Sequence, residues 1–337
     1  MPNNTLKILV GIVLLAFLSG CGSKYYFEPK EEEIANDISY SDSLSSDIIG
    51  ITRDGATLAS GQFITKYSQI PEVKLPKNAR YLNESEKFYI VTTNNKEMLL
   101  INKETLSESV IALEGNPISA SIEGNLAAII FDNNSFVLFD LDLGRTLYKQ
   151  ENASAPTNNT LIASPYFLSD IAVIPTLDGK LVIVDKNTHQ MIRSIVVNGG
   201  EKYFNNVIFL EAINDRMVAA TPKRIISVSP SIINTFDANL QDILFFGDQI
   251  VLFTTEGEVI LTDKDLNEIR RQKFPFAHFS AANHGDKIVV LETQGYLISL
   301  SEDLQEWQIF ALPNKIKKPT FSATGKIFVG DEILEVN

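Results

Sequence analysis

The chain has 337 residues, a formal net charge of −13, one cysteine, one tryptophan and three histidines. The acidic balance excludes the basic face that a nucleic-acid binder needs. A lone cysteine excludes an intramolecular disulfide and any cysteine-rich metal site, while the length allows one large domain or two average ones.

The first element is an apolar run, ILVGIVLLAFL over residues 8–18, preceded by Lys7 and followed by Ser19-Gly20-Cys21. It is too short to span a bilayer, which takes roughly 20 residues as a helix. A basic start, a short apolar core and small residues at the end form a secretory signal. Leu18-Ser19-Gly20-Cys21 resembles the lipobox of bacterial lipoproteins. The resemblance implies that residues 1–20 are a signal peptide and that Cys21 is the lipidated residue, its sulfur and new amino terminus acylated. Gly22 replaces the aspartate that retains enteric lipoproteins at the inner membrane, which points to the outer membrane, facing the periplasm.

Residues 21–47 carry seven carboxylates, many serines and no sustained apolar period. Such a segment reads as a flexible acidic tether, with Glu31-Glu32-Glu33 as part of its solvated charge.

From residue 48 to residue 337 the texture is different. Short runs rich in Val, Ile, Phe and Thr alternate with turn residues, and no segment holds a helical period. This is the pattern of an all-β chain. A repeat of about 40 residues becomes visible when third strands are aligned on their small polar end residues: Asn102, Asp140, Asp185, Ser229, Asp263, Ser301 and Asn337. Asn134, Gly179, Lys223, Gly257, Gly295 and Asp331 all precede their end residue by the same distance. Asn94-Asn95, Asn133-Asn134, Asp178-Gly179, Glu256-Gly257 and Gln294-Gly295 supply hairpin turns that need positive φ. An apolar strand precedes each turn, another precedes that, and a polar strand follows. Four-stranded units repeated around a ring describe a β-propeller.

The repeat count predicts seven blades, with eight as the alternative if IIGITRDG (48–55) opens a further one. The last unit, 319–337, stops after its third strand, so TLASGQFITK (57–66) is expected to close the ring against the C-terminal blade.

GKLVIVDKNTHQMIRSI (179–195), GEVILTDKDLNEIRRQ (257–272) and SFVLFDLDLGRTLYKQ (135–150) resemble the PQQ-like repeat of quinoprotein-type propellers. Together with the lipobox they resemble the BamB family of outer-membrane lipoproteins. That resemblance implies a non-catalytic scaffold in outer-membrane protein assembly, with the barrel-assembly machine as partner. The alternative is a small-molecule-binding or quinoprotein-like enzymatic propeller, for which charged side chains converging in the central channel would be the mark. Quinone enzymes of this repeat type resemble one another in tryptophans between blades and often a vicinal disulfide. This chain offers Trp307 and no cysteine after Cys21.

No catalytic residue, cofactor or metal ligand is assigned. Asp263-Lys264-Asp265-Leu266-Asn267 starts like a calcium loop, but Glu268 and Phe274 stand where glycine and a carboxylate are needed. Asp140, Asp185 and Asp263 are therefore expected to bond turn amides. His189, His278 and His284 lack a third partner. Arg270-Arg271 and Lys315–Lys318 read as solvated loops, Asp54-Gly55 as a turn, and the polar link 150–159 as a possible partner contact.

Overall fold

The computed structural model describes residues 25–155, 161–199 and 205–336; Cys21 and Asn337 lie outside these. A single 3₁₀ turn at Glu31–Glu33 leads into β1 (Ile34–Asp37) and β2 (Asp42–Ser43). Eight sheets follow, each an antiparallel blade. Blade 1 holds β3 (Ile48–Ile51), β4 (Gly55–Leu58) and β5 (Phe63–Thr65). Blade 2 holds β6 (Arg80–Glu84), β7 (Phe88–Thr92), β8 (Glu97–Asn102) and β9 (Glu108–Ala112). Blade 3 holds β10 (Pro117–Glu123), β11 (Leu126–Phe131), β12 (Phe136–Asp140) and β13 (Arg145–Gln150). Blade 4 holds β14 (Tyr166–Leu168), β15 (Ile171–Pro175), β16 (Lys180–Asp185) and β17 (Met191–Val196). Blade 5 holds β18 (Phe209–Ile213), β19 (Arg216–Thr221), β20 (Arg224–Val228) and β21 (Ile233–Asp237). Blade 6 holds β22 (Leu240–Phe246), β23 (Gln249–Thr254), β24 (Glu258–Asp263) and β25 (Glu268–Lys273). Blade 7 holds β26 (Phe279–His284), β27 (Ile288–Glu292), β28 (Tyr296–Leu300) and β29 (Trp307–Ala311). Blade 8 holds β30 (Thr320–Ala323), β31 (Lys326–Val329) and β32 (Glu332–Glu335).

Burial explains the sequence texture. The second and third strands of each blade are covered on both faces by neighbouring blades, so β11 and β16 are almost wholly buried. Last strands meet water, and β17 is exposed at five of its six residues. Each blade interface has its own apolar core. Leu82, Ile90 and Leu100 of blade 2 pack on Ala120, Ala127 and Ile129 of blade 3. The series runs round to Phe321 and Phe328 of blade 8, packed on Leu58 and Ile64 of blade 1. Each fully buried large aliphatic contributes about 1.5–3 kcal/mol by leaving water. The hairpin turns behave as predicted: Asn94, Asn134, Gly179, Gly257 and Gly295 all have positive φ. At Gly295 a Cβ would also lie 2.6 Å from the Asn314 carbonyl, so the position has no room for a side chain.

Three expectations change. The blade count is eight, not the favoured seven. Blade 1 escaped the repeat because its third strand is only three residues long, which breaks the spacing from turn to end residue. The segment expected to close the ring is therefore blade 1's own hairpin. Closure comes from further upstream, where β2 pairs with β32 through Asp42↔Ile333 and Ser43↔Glu332. Backbone bonds from Ser41 N to Ile333 O (2.8 Å) and from Leu44 N to Asp331 O (2.6 Å) extend the pairing.

The acidic segment read as a tether also carries structure from Tyr25 onward. Strand β1 adds in parallel to the outer edge of β29, with Ile34 opposite Ile309 and Asp37 opposite Ala311. Composition hid this because the apolar residues are spaced widely. Phe27 enters the core between blades 6 and 7, Ile38 and Tyr40 pack between blades 7 and 8, and Leu44 packs between blades 8 and 1. One short segment thus laces three successive interfaces.

Candidate functional site: the channel and the blade edges

Blade 1 is short, and its first turn falls into the central channel. Gly55 fits because a Cβ there would collide with the Tyr81 ring and lie 2.5 Å from the Ile64 carbonyl. Thr52 Oγ1 donates to the Leu82 carbonyl (3.0 Å), fixing the turn against blade 2. Arg53 then crosses the ring. Its Nε donates to the Ile208 carbonyl at 3.0 Å, and its Nη1 pairs with Asp242 of blade 6 at 3.2 Å. The guanidinium also lies 4.8 Å from the centre of the Phe209 ring, in cation–π range. Asp54 takes the other direction, accepting from Ser164 Oγ at 2.5 Å and pairing with Lys66 at 3.4 Å. One turn therefore ties blade 1 to blades 4, 5 and 6.

Charge does converge here. Arg53, Asp54, Lys66, Glu84 and Glu211 line a cavity of about 370 Å³ walled by Tyr166, Phe167 and Phe209. Most of that charge is neutralised locally, since Asp242 meets Arg53, Asp54 meets Lys66, and Glu84 meets Lys103. Glu211 has no ion-pair partner within bonding distance among the described residues; burial pushes its carboxyl up, and the field of Lys66 offsets only part of that. Burial works hardest against the charge of Lys66, but Asp54, Tyr67 and Glu211 together outweigh it, so the ammonium is held above its ordinary range. Arg53 Nη2, Tyr81 Oη and Glu84 Oε1 are buried without a hydrogen-bond partner among the described residues. The arrangement is a crossbar of mostly paired charge, with Glu211 outside the ion pairs and these three buried atoms left unpartnered among the described residues.

The other residues singled out in the sequence are dispersed. Asp140, Asp185 and Asp263 cap the turns between third and fourth strands. Their Oδ1 atoms accept from the amides of Asp142 and Leu143, of Asn187 and Thr188, and of Asp265 and Asn267, at 2.7–2.9 Å. His284 stacks on Phe246 at 4.5 Å and meets Glu302, His189 sits in a turn with φ 56°, and His278 is exposed. Among the described residues no three His, Cys, Asp or Glu side chains gather as a metal site. In the link 150–159, Asn152 Nδ2 and the Ala153 carbonyl bond to the buried Asn134, whose Oδ1 also accepts from Leu177 N; residues 156–159 lie outside the described set.

The outer edges supply a second feature. Strands β29 and β32 are covered by β1 and β2. Strand β17 is the last of its sheet and exposes Met191, Ile192 and Val196, each about half accessible. On the following blade, Ile232 and Ile233 are exposed at the start of β21. Isolated exposed apolar residues are ordinary. Apolar side chains on a free strand edge are a surface for added strands.

No known protein-family model matches the chain. It is similar to the plasminogen-binding protein PgbB of Helicobacter pylori strain J99, 30% identical over 314 residues that cover 80% of this chain and 58% of that protein. The protein of the same name from strain 26695 is 29% identical over 311 residues, covering 79% and 57% respectively. The chain thus spans less than three-fifths of the curated relatives it matches. Among solved structures it is similar to BamB from Moraxella catarrhalis, with a TM-score of 0.66 at 14% identity over 88% of this chain and 99% of that one. The C-terminal WD40 domain of Sif2 gives 0.65 at 13% identity, over 90% and 99%. The computationally designed Ika8 protein gives 0.61 at 11%, over 89% and 99%. At these identities the structural likeness carries the fold alone, and the chain is an all-β propeller of eight blades.

Proposed function

We propose that this chain is the propeller of a lipid-anchored envelope protein that binds protein partners through the free strand edges of blades 4 and 5. The observation that carries the reading is the exposed apolar side chains of β17 and of the start of β21, whose outer edges are unpaired among the described residues. The molecule itself supplies the binding mode, because β1 adds to a blade edge through backbone pairing. An extended partner segment would engage β17 in the same way, with backbone bonds giving affinity and Met191, Ile192 and Val196 giving apolar contact. No step of this function is catalytic, and none needs a cofactor. The anchor is Cys21, and Gly22 directs the protein to the outer membrane with the ring in the periplasm.

The partner of the first reading is the β-barrel assembly machinery or the unfolded barrel strands it handles. A BamB-like role is supported by the lipobox and the edge chemistry. A photo-crosslinking residue at Ile192 in living cells tests it. Adducts with barrel-assembly subunits or nascent barrel strands support the role; unrelated periplasmic enzymes alone would sink it. A second reading is favoured by the relatives named for plasminogen binding, and takes plasminogen as the protein bound at the same edges. Surface plasmon resonance with immobilised full-length protein separates the two: saturable plasminogen binding weakened by Ile192→Lys supports the second reading.

A further inference from the structure

The way the chain enters the ring fixes which side of the ring meets the membrane. Tyr25 already stacks on Phe276, with ring centres 4.9 Å apart. Only residues 22–24 separate it from Cys21, so the two Cα atoms are at most about 14 Å apart however the link is drawn. The short 3₁₀ turn and β1 then hold the chain on blade 7. A long spacer that would free the ring to tumble is absent between Cys21 and this contact.

The rim around that entry point has the chemistry of a bilayer interface. Tyr25 and Phe276 are more than half exposed, as is Tyr26. Phe276 is held in the left-handed region, φ 64°, on the connection between blades 6 and 7. Lys315 lies 5.6 Å from the centre of the Tyr26 ring, and Lys317 is exposed beside it on the connection between blades 7 and 8. Both connections enter inner strands from the same side of the ring. The opposite side carries the turn carboxylates Asp140, Asp142, Asp185, Asp263 and Asp265. Aromatic rings settle at the headgroup level, and lysines are drawn to anionic headgroups within about a Debye length, some 8–10 Å.

We infer that the rim formed by Tyr25, Tyr26, Phe276, Lys315 and Lys317 docks on an anionic phospholipid surface, turning the side that carries Leu143 toward the periplasm. This rests on the reading of Cys21 as the anchor. The occupant is the bilayer itself, because the anchored chain ends beside this rim and the exposed Lys315 and Lys317 complement anionic headgroups.

The test uses the full-length acylated protein in phosphatidylethanolamine–phosphatidylglycerol vesicles with brominated acyl chains. Trp307 is replaced by Phe, and a single reporter tryptophan is introduced either as Phe276→Trp or, on the opposite side, as Leu143→Trp. Flotation reports anchoring, and bromine quenching reports contact with the bilayer. Vesicles should float both proteins, with most of the emission lost at position 276 and none at position 143. Flotation with equal, unquenched emission at both positions would overturn the docked rim while leaving the anchor standing. Failure to float, with the Cys21→Ser protein behaving identically, would overturn the anchor and the rim with it.

Discussion

Arg53 ties blade 1 to the far side of the ring. It joins a blade 1 turn to a carbonyl, a carboxylate and an aromatic ring on blades 5 and 6. Replacing it with Met leaves Asp242 half-buried without its partner, and the expected loss is about 1–3 kcal/mol, read from urea unfolding. A double-mutant cycle with Asp242→Asn should return part of that loss as coupling. The turn aspartates act differently. Burial alone would raise the Asp263 carboxyl, but bonds from the Asn267 side chain and amide and from the Asp265 amide outweigh it, so it is held below the ordinary range. A carboxylate with a depressed folded pKa stabilises above its unfolded value, near 3.9, and that contribution is lost as pH falls through the folded value. Asp263→Ala should therefore cost about 1 kcal/mol at neutral pH, and the gap from wild type should shrink in melts carried below about pH 4. The turn role of these aspartates was legible, because identical residues recur at the same point of successive blades. Arg53 was not: Thr52-Arg53-Asp54-Gly55 reads as any tight turn, and its partners Ile208 and Asp242 are far away in sequence.

Strands were legible where both faces are buried, as in the continuous apolar runs of β11, β16 and β23. They were illegible where backbone pairing does the work with few apolar residues, as in β1 and β2, whose residues are exposed or half-exposed. These two strands hold the entry segment through main-chain bonds. Ile38 N donates to the Ala311 carbonyl at 2.8 Å, and its side chain packs between blades 7 and 8. Ile38→Pro removes that donor, so limited proteolysis should cut within residues 25–47 faster than in wild type, with the blade strands still protected. Equal cleavage rates would mean that pairing at β1 contributes little to holding the segment.

At the scale of the whole molecule, the ring is a rigid frame that covers some strand edges and leaves others open. Every blade interface has a core, and the frame closes through β2 on β32. Closure was misplaced in the sequence reading because blade 1's shortened third strand made its hairpin resemble a spare closing strand. The proposed partner site is at the open edges because most of the channel's charge is paired internally, whereas β17 and β21 present apolar side chains with no strand paired to their outer edges among the described residues. The most direct test is crosslinking from a photoreactive residue at Ile192 in the membrane-anchored protein, compared with the same residue at Leu143 on blade 3. Specific adducts with a protein partner at position 192, lost on Ile233→Lys and absent at position 143, are the predicted result. The same faint background at both positions would contradict the assignment of partner binding to the edges of blades 4 and 5.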